Sequence, residues 1–405
     1  MATIVLNWEL GADLGHINRL LPIALQLRET GHQPVMVLRD ISRAESILGK
    51  HQLTFLQAPI WLTPVHGLPA DINFTETLYR FGYLHPDGLL SMTKAWRALW
   101  ALLNPDLMIF DHAPTALLAA RGLPIPRMII GNSFGVPPAE RPLPRFRWWT
   151  NGMREQPRLE ETEQRATRNS NTVLRQLNAP PINQLSDLFQ AEALHICGRP
   201  QLDVYGPRHH EAYIGPINTT TIGAAPRWPL AEGPAVFAYI KPHYQHFEAL
   251  LKTIGNSKAR YLIFAPGMPE ALVRRFQKGH IQFSTTPLRM DEVIKQCHSV
   301  ICHAGGMTDI ALDAGKPLLL LPTQMEQTMT SHRAAALGAA LFLPPEGNPG
   351  LLPKLLKQLL DDSALGVCAT QYAATLPHTA PSQAVAQVVT SCEKLLAIAT
   401  AANHR

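Results

Sequence analysis

Cysteine and charge are both scarce in this chain of 405 residues. Its five cysteines are few and odd in number, so we expect no disulfide framework and a reducing compartment, the cytoplasm. Charged residues make up 17% of the chain and hydrophobic ones 46%, a balance typical of a folded globular protein and not of a disordered one. The net charge is only +5 and no run of five basic residues occurs, so nucleic acid is not an expected partner.

Targeting signals and long apolar runs are also missing. Residues 1–6 have the pattern of a β-strand and not of a secretory leader. The uninterrupted apolar stretches, such as residues 334–345, fall short of the about 20 residues that cross a bilayer. We therefore expect no transmembrane segment.

The chain instead alternates apolar strands with amphipathic helices, and it does so twice. In the first half, a strand at residues 3–6 precedes a helix at residues 17–29, and buried strands follow at residues 105–110 and 127–130. In the second half, strands are predicted at residues 235–240, 261–265, 299–302 and 318–321. The pattern predicts an α/β protein of two Rossmann-like, doubly wound domains that face each other across a cleft.

A segment rich in proline and glycine separates the two halves. We predict a linker at residues 216–234, between an N-terminal domain at residues 1–215 and a C-terminal domain at residues 235–381. The remainder, residues 382–405, is rich in Ala, Val and Leu and is predicted to form a C-terminal helix that can pack back on the N-terminal domain.

The most informative segment of the second half begins at His303, directly after a predicted strand. Five residues then lead into a helix: Ala304, Gly305, Gly306, Met307 and Thr308. Small residues let backbone N–H groups approach a phosphate, a hydroxyl at the helix start adds a donor, and the helix dipole favours negative charge. The segment predicts a cradle for an anion, with an ordinary strand-to-helix turn as the alternative.

Glu326 and Gln327 follow the next predicted strand. A carboxylate beside a carboxamide can hold adjacent sugar hydroxyls, accepting from one and donating to the other. Glu326 comes 23 residues after His303, on the next strand of the same sheet, so the pair can line the same site. A solvated loop is the alternative.

Together these residues resemble the donor-binding signature of the nucleotide-sugar glycosyltransferases with the two-domain GT-B fold, the group that includes the UDP-glycosyltransferases. The matching positions are His303, Gly305, Gly306, Thr308, Gly315, Pro317, Pro322, Glu326, Gln327 and Gly338. The resemblance implies that His303 and the residues after it contact a diphosphate and that the acidic-Gln pair contacts the sugar. It also implies that Pro287 and Leu288 lie in the loop whose backbone faces the nucleoside base.

Two positions depart from the family pattern. The Glu that holds the ribose in the family would fall near Ile310, which cannot do so, and Asp309 or Asp313 is the candidate substitute. The resemblance predicts a uridine diphosphate sugar as the donor, and this departure makes a thymidine diphosphate sugar a second candidate. The family's Gly/Ser-rich loop is replaced by residues 239–242, where Lys241 can supply a positive charge to the phosphate or lie on the surface.

In the first half, Gly15 and His16 stand where the first helix begins, and Asp111 follows a predicted strand. Imidazole titrates near neutral pH, which suits it to general-base catalysis at such a turn. The resemblance implies that His16 removes a proton from the acceptor and that Asp111 orients it. Capping and surface roles are the alternatives.

The sequence indicates the acceptor-binding residues less clearly than the donor-binding ones. The candidates lie in loops that shape acceptor pockets in the family: Gly15, Phe134, Trp61, Phe74, Tyr83, Trp148 and Trp149. Residues 141–154 combine arginine with aromatic side chains, a composition that fits an aromatic or anionic acceptor or a peripheral membrane contact. A surface helix with its aromatic side chains turned inward is the alternative.

Metal ligands are not expected. Residues 297–303 hold two Cys and two His, but no second pair at zinc-finger spacing follows, and no Asp-x-Asp occurs. We therefore expect no metal and no cofactor besides the nucleotide-sugar co-substrate.

The predicted function is an inverting, metal-independent glycosyltransferase that acts on a small-molecule or lipid-like acceptor. A UDP-sugar 2-epimerase or hydrolase on the same fold and a sugar-nucleotide-binding protein without catalysis are the alternatives.

Overall fold

The computed structural model describes residues 1–12, 15–208, 213–218, 220–221, 223–377 and 381–403. The chain divides into two compact units, one of Met1–Ile217 with Thr379–Arg405 and one of Asn218–His378. Each unit has a six-stranded sheet with helices beside it, as the alternating pattern of the sequence predicts.

The N-terminal sheet is wholly parallel and has the order β3-β2-β1-β4-β5-β6. Its strands are β1 Thr3–Trp8, β2 Gln33–Leu38, β3 Thr54–Gln57, β4 Leu107–Asp111, β5 Arg127–Gly131 and β6 Ala193–Ile196. The helices of this unit are α1 Gly15–Glu29, α2 Ala44–Leu48, α3 Phe74–Leu78, α4 Pro86–Leu103, α5 Pro114–Ala120, α6 Gln156–Gln176 and α14 Pro381–Asn403.

The C-terminal sheet is also parallel and has the order β12-β11-β10-β7-β8-β9. Its strands are β7 Ala235–Tyr239, β8 Arg260–Phe264, β9 Ile281–Ser284, β10 Ser299–Cys302, β11 Leu318–Leu320 and β12 Ala340–Phe342. The helices are α7 Phe247–Gly255, α8 Glu270–Phe276, α9 Met290–Gln296, α10 Gly306–Asp313, α11 Met325–Ala336, α12 Leu352–Asp361 and α13 Ser363–Thr375.

Numbered from its own first strand, each sheet has the order 3-2-1-4-5-6 of a doubly wound Rossmann fold. The central strands are continuous apolar runs because helices cover both faces, and Ile4, Val5 and Leu6 are fully buried. In such sheets the strand order reverses between the first and fourth strands. Ligands bind at the carboxyl ends of the strands beside this switch point.

Helix α14 belongs to the N-terminal unit, where it packs against α1. One face of the helix, with Val385, Val388 and Cys392, joins the same buried cluster as Leu20 and Ala24 of α1. By length and composition alone, Pro381–Ala401 is the one helix among the described residues that could cross a membrane, a candidate that the search for uninterrupted apolar runs does not find.

The segment predicted as a linker is partly built into the C-terminal unit. The N–H of Ala224 donates to the carbonyl of Pro287 over 2.8 Å, and the N–H of Arg289 donates to the carbonyl of Ala224 over 2.9 Å. Gly223 adopts φ +135°, and a side chain there would meet the backbone of Leu288 at 2.6 Å. The close approach of these two backbones therefore requires glycine.

Candidate active site

The switch point of the N-terminal sheet brings His16 and Asp111 together. His16 begins α1 after strand β1, and Asp111 is the last residue of the neighbouring strand β4. Nδ1 of His16 lies 3.0 Å from Oδ2 of Asp111, and the carboxylate is fully buried. A carboxylate accepts only, so Nδ1 carries a hydrogen, and in the neutral imidazole the lone pair is then on Nε2.

Arg19 holds the same carboxylate. Its Nη1 donates to Oδ1 of Asp111 over 2.8 Å and to Oδ2 over 2.9 Å. Burial opposes ionisation of Asp111, but the charges of Arg19 and His16 outweigh it and lower the pKa of Asp111 to about 2. The carboxylate is therefore ionised at neutral pH.

Three neighbours fix the ring of His16. The Trp8 ring stacks on it at 5.0 Å with an interplanar angle of 18°, and the His112 ring lies 5.8 Å away. Burial lowers the pKa of His112 to about 3, so that ring is neutral. At Gly11, which has φ +91°, a Cβ atom would lie 2.4 Å from Nε2 of His16.

Sequence reasoning missed the roles of Arg19, Gly11 and Trp8. Arg19 lies three residues after His16 on α1, a spacing that puts both side chains on one face of a helix. That spacing could have identified Arg19 as a neighbour of Asp111. No sequence signal marks the stacking of Trp8, because it depends on where the turn after β1 brings the imidazole.

The structure brings two of the predicted acceptor residues into the ring cluster around His112. The ring of Phe74 lies 5.8 Å from His112 and the ring of Phe134 lies 6.2 Å from it, and these two phenylalanines pack edge to face. Tyr83 is fully buried, and burial raises the pKa of its hydroxyl well above the usual range. Gly15 is exposed.

The remaining acceptor candidates lie in other loops. Trp61 stacks on His85 at 5.8 Å and packs against Gly82. Trp148 and Trp149 form an edge-to-face pair and are both half-buried. Residues 141–154 contain no helix, so the alternative of a surface helix does not apply to them.

His303 lies at the switch point of the C-terminal sheet, after β10. Its Nδ1 lies 2.6 Å from the carbonyl of Leu321, and its Nε2 lies 2.9 Å from the backbone N–H of Lys241. A carbonyl only accepts and an amide N–H only donates, so the ring is neutral, with hydrogen on Nδ1. The imidazole thus ties together the ends of β7, β10 and β11. The implied contact of this ring with a diphosphate, which would displace one of these bonds, stays a prediction.

The loop after His303 has the backbone form of an anion site. Ala304 adopts φ +57°, Gly305 and Gly306 are exposed, and α10 begins at Gly306. The first N–H groups of a helix have no partner within the helix, and the helix dipole adds positive potential there. These backbone groups are what a phosphate would contact.

Two side chains of this loop are turned away from solvent. Met307 is 7% exposed. Thr308 is fully buried beside Cys302, and its N–H donates to the carbonyl of Gly305 over 2.8 Å. The predicted contact of the Thr308 hydroxyl with a phosphate therefore requires a rotation of its side chain.

Glu326 and Gln327 lie in the first turn of α11 and are both half-buried. Oε1 of Gln327 accepts from the N–H of Thr323 over 2.8 Å and from its hydroxyl over 3.0 Å. The amide nitrogen of Gln327 is thus the group that can donate to a sugar hydroxyl.

The loop predicted to face the base lies between β9 and α9. Pro287 is exposed but its carbonyl accepts from Ala224, while the side chain of Leu288 is 5% exposed. Lys241 is half-buried and follows β7. Asp309 and Asp313, the candidate substitutes for the ribose Glu, both lie on α10, beside Ile310.

Metal binding finds no support in the part of the chain that the structure describes. No three side chains of His, Cys, Asp or Glu come together there in a group that could hold a metal ion.

Comparisons with known proteins identify the fold. No protein-family profile and no curated protein matches the sequence. Among solved structures, the chain is similar to the glycosyltransferase of kitacinnamycin, with a TM-score of 0.71 and 17% identity over 98% of this chain and 99% of that one. The calicheamicin glycosyltransferase CalG4 has a TM-score of 0.70 and 15% identity over 98% of both chains.

A third similar structure is the spinosyn rhamnosyltransferase SpnG in complex with thymidine diphosphate. Its TM-score is 0.68 and its identity 16%, over 96% of this chain and 99% of that one. The chain therefore has the fold of the GT-B glycosyltransferases, with two Rossmann-like units, as its donor-binding motif predicts.

Proposed function

We propose that this protein is an inverting, metal-independent glycosyltransferase that moves a sugar from a nucleoside diphosphate sugar to a hydroxyl of a small molecule. The observation that carries the proposal is the pair of His16 and Asp111, which leaves the lone pair of Nε2 available as a base. An acceptor hydroxyl needs such a base as it attacks a sugar carbon. The fold, shared with glycosyltransferases over 98% of the chain, supports the same class of reaction.

In the proposed reaction, the acceptor hydroxyl loses its proton to Nε2 of His16 while its oxygen bonds to the anomeric carbon. The bond from that carbon to the diphosphate oxygen breaks on the opposite face, and its electron pair leaves with the nucleoside diphosphate. Attack from the face opposite the leaving group inverts the anomeric configuration. Asp111 orients the imidazole and stabilises the imidazolium that forms.

The donor in this proposal is held by the C-terminal unit. The backbone of Gly305 and Gly306 and the start of α10 would stabilise the diphosphate by fixed dipoles, without a metal ion. Glu326 and Gln327 would hold the sugar, and the backbone of Leu288 would face the base. Thymidine diphosphate and uridine diphosphate are both candidates for the nucleotide part of the donor. Thymidine diphosphate is included because the structure of SpnG contains it and because Ile310 replaces the Glu that holds the ribose in the family.

The acceptor would be a small or lipid-like molecule held by the N-terminal unit. Phe134, 8% exposed in the ring cluster next to His16, would supply aromatic surface, whereas Phe74 is fully buried in that cluster. An apolar acceptor gains most from such a surface. We place the reaction in the cytoplasm, where nucleotide sugars and reduced cysteines occur together.

A thermal-shift screen with nucleoside diphosphates tests the donor site. A ligand that binds only the folded protein raises the melting temperature according to its concentration over its dissociation constant. We expect thymidine or uridine diphosphate to raise it and adenosine and guanosine diphosphates to leave it unchanged. If none of the four has an effect, the donor site is wrong.

A turnover assay with the donor so identified tests the chemistry. Release of nucleoside diphosphate that depends on an acceptor supports a transferase, whereas release without acceptor indicates a hydrolase and an altered sugar without release indicates an epimerase. We expect His16→Ala to lose turnover by at least about 100-fold while keeping the donor-induced thermal shift. His298→Ala, which removes an exposed imidazole before β10, is the matched control.

A further inference from the structure

The carboxylate that orients His16 is shared with a permanent positive charge. Arg19 lies on α1, with a side chain that is 14% exposed, and its Nη1 contacts both oxygens of Asp111. Oδ2 of Asp111 therefore receives two hydrogen bonds, one from His16 and one from Arg19. Arginine stays protonated at any pH at which the protein folds, so its charge acts in both protonation states of His16.

This arrangement differs from a carboxylate that faces a histidine alone. A lone carboxylate favours the imidazolium strongly, because opposite charges attract at this distance. Here the guanidinium offsets much of that charge and repels a second cation.

Among the described residues, two other titratable groups near the pair stay neutral at neutral pH. Burial lowers the pKa of His112 to about 3, so its ring, 5.8 Å from His16, stays neutral. Burial raises the pKa of Cys197, which lies near Arg19 and Asp111, to about 11, so it stays a thiol. Arg39 contributes to the lowered pKa of His112 and donates to the carbonyl of Glu9 over 3.1 Å.

Glu9 is the exception in this neighbourhood. Its carboxyl is fully buried directly after β1, and burial raises its pKa to about 7. It titrates in the same range as a histidine, so a test of the His16 pair must follow the resonance of His16 itself.

We propose that Arg19 is a positioning residue for the base: it holds Asp111 in place and offsets its charge, so that His16 stays unprotonated and ready to accept the proton of the acceptor. The inference rests on the proposed function, because it assigns Arg19 a role in the step that His16 carries out. It requires no contact between Arg19 and either substrate.

Two substitutions separate charge from hydrogen bonding at this position. Arg19→Gln keeps a donor for the buried carboxylate but removes the charge, whereas Arg19→Lys keeps the charge. Arg28→Gln removes the same charge from the last turn of the same helix, where the side chain contacts the carbonyl of His51, and is the matched control.

The first readout is the pH titration of the His16 ring, followed by NMR in the full-length protein with labelled histidine and no substrate. The resonance is assigned by its loss in His16→Gln. We expect the midpoint in Arg19→Gln to rise by about one pH unit, and that in Arg19→Lys and Arg28→Gln to stay within about 0.3 of the unsubstituted protein.

The second readout is the pH dependence of kcat/KM for transfer. In Arg19→Gln the acid limb should move up by about one unit while the rate on the alkaline plateau is retained, because only the protonation of the base has changed. A lower plateau with an unmoved acid limb would mean that Arg19 acts through structure alone and would overturn the proposal.

The titration also distinguishes the two proposals. An unmoved midpoint in Arg19→Gln contradicts the role of Arg19 even if the protein transfers sugar. A protein that transfers no sugar contradicts the proposed function even if the midpoint moves. If Arg19→Gln fails to fold, a midpoint in Arg19→Lys that rises as far as one unit overturns the proposal, since Lys keeps the charge that the proposal requires.

Discussion

His16 follows the first strand of its sheet and His303 follows the fourth strand of its own, and the two rings differ in what faces Nε2. Each follows a central strand at the switch point of its sheet, and each carries its hydrogen on Nδ1. In His303, Nε2 accepts from the backbone of Lys241. In His16, no polar group within the described ranges bonds to Nε2.

The partner of Nδ1 differs as well. His16 faces the ionised carboxylate of Asp111, which stabilises an added proton, whereas His303 faces a neutral carbonyl, which does so far less. A histidine after a strand is therefore not a base by its position alone. The comparison teaches that the second ring nitrogen, and what surrounds it, separates a group suited to proton transfer from one that ties strands together.

Of the substitutions that test this comparison, Gly11→Ala should have the largest effect, because it displaces the ring of the proposed base, His16. A Cβ atom there would lie 2.4 Å from Nε2 of His16, whose ring cannot yield because Trp8 and Asp111 hold it. A displacement of about 1 Å costs on the order of 100-fold in rate, so we expect kcat of Gly11→Ala to fall by about that factor.

Gly31→Ala is the matched control for this prediction. Gly31 adopts φ +87°, close to the φ +91° of Gly11, but a Cβ atom there would meet nothing within 4 Å. Both substitutions should cost about 1 kcal/mol of stability through the positive φ. Transfer at the unsubstituted rate by Gly11→Ala would show that Nε2 of His16 is not where the structure has it.

Substitution of His303 should lower the stability of the C-terminal unit, because this ring links the ends of three strands. His303→Ala leaves the N–H of Lys241 and the carbonyl of Leu321 without their side-chain partner and opens a cavity. We expect the free energy of unfolding, measured by urea denaturation, to fall by about 4 kcal/mol. His16→Ala leaves Asp111 with both contacts to Arg19, so a loss of about 1 kcal/mol is expected there. Equal losses of unfolding free energy in His16→Ala and His303→Ala would contradict a larger structural role for His303.

The smallest expected effect is on the pH dependence of stability, through Glu9, the buried carboxyl directly after β1. Oε2 of Glu9 accepts from the N–H groups of Thr115 and Ala116, and burial raises the pKa of this carboxyl from 4.5 to about 7. The folded protein thus binds a proton that the unfolded chain releases between these values. Stability from this group is complete below pH 4.5 and is lost as the pH rises to about 7.

Glu9→Gln should remove this loss. Between pH 5 and 8 the unsubstituted protein is expected to lose at most about 3 kcal/mol through Glu9, and the variant to lose none of it. Urea denaturation at the two pH values measures the difference. A variant with the same pH dependence as the unsubstituted protein would mean that burial does not raise the pKa of Glu9.

The fold could be predicted from the sequence because its signals are local. Apolar runs mark the central strands, and Gly31 and Gly315, both at positive φ, follow the ends of the helices α1 and α10. The helix predicted at residues 17–29 begins two residues earlier, at Gly15. Helix ends depend on caps and on packing, which a periodic pattern does not report.

The candidate site could be predicted only in part. His16 and Asp111 follow from their places after two strands that prove to be neighbours. The anchoring of His303 could not be predicted, because its partners are backbone groups of two other strands and any sequence supplies such groups. The stacking of Trp8 on His16 likewise depends on the path of the chain and not on a spacing.

The most direct test of the account compares His16→Ala and His303→Ala in a single turnover. Nucleoside diphosphate formation is measured with donor and acceptor both saturating, below the unfolding transition of either variant. We expect a rate at least about 100-fold lower in His16→Ala, with donor affinity kept, and a smaller loss of rate in folded His303→Ala, whose ring is predicted to contact the diphosphate. An unchanged rate in His16→Ala would contradict the assignment of His16 as the base.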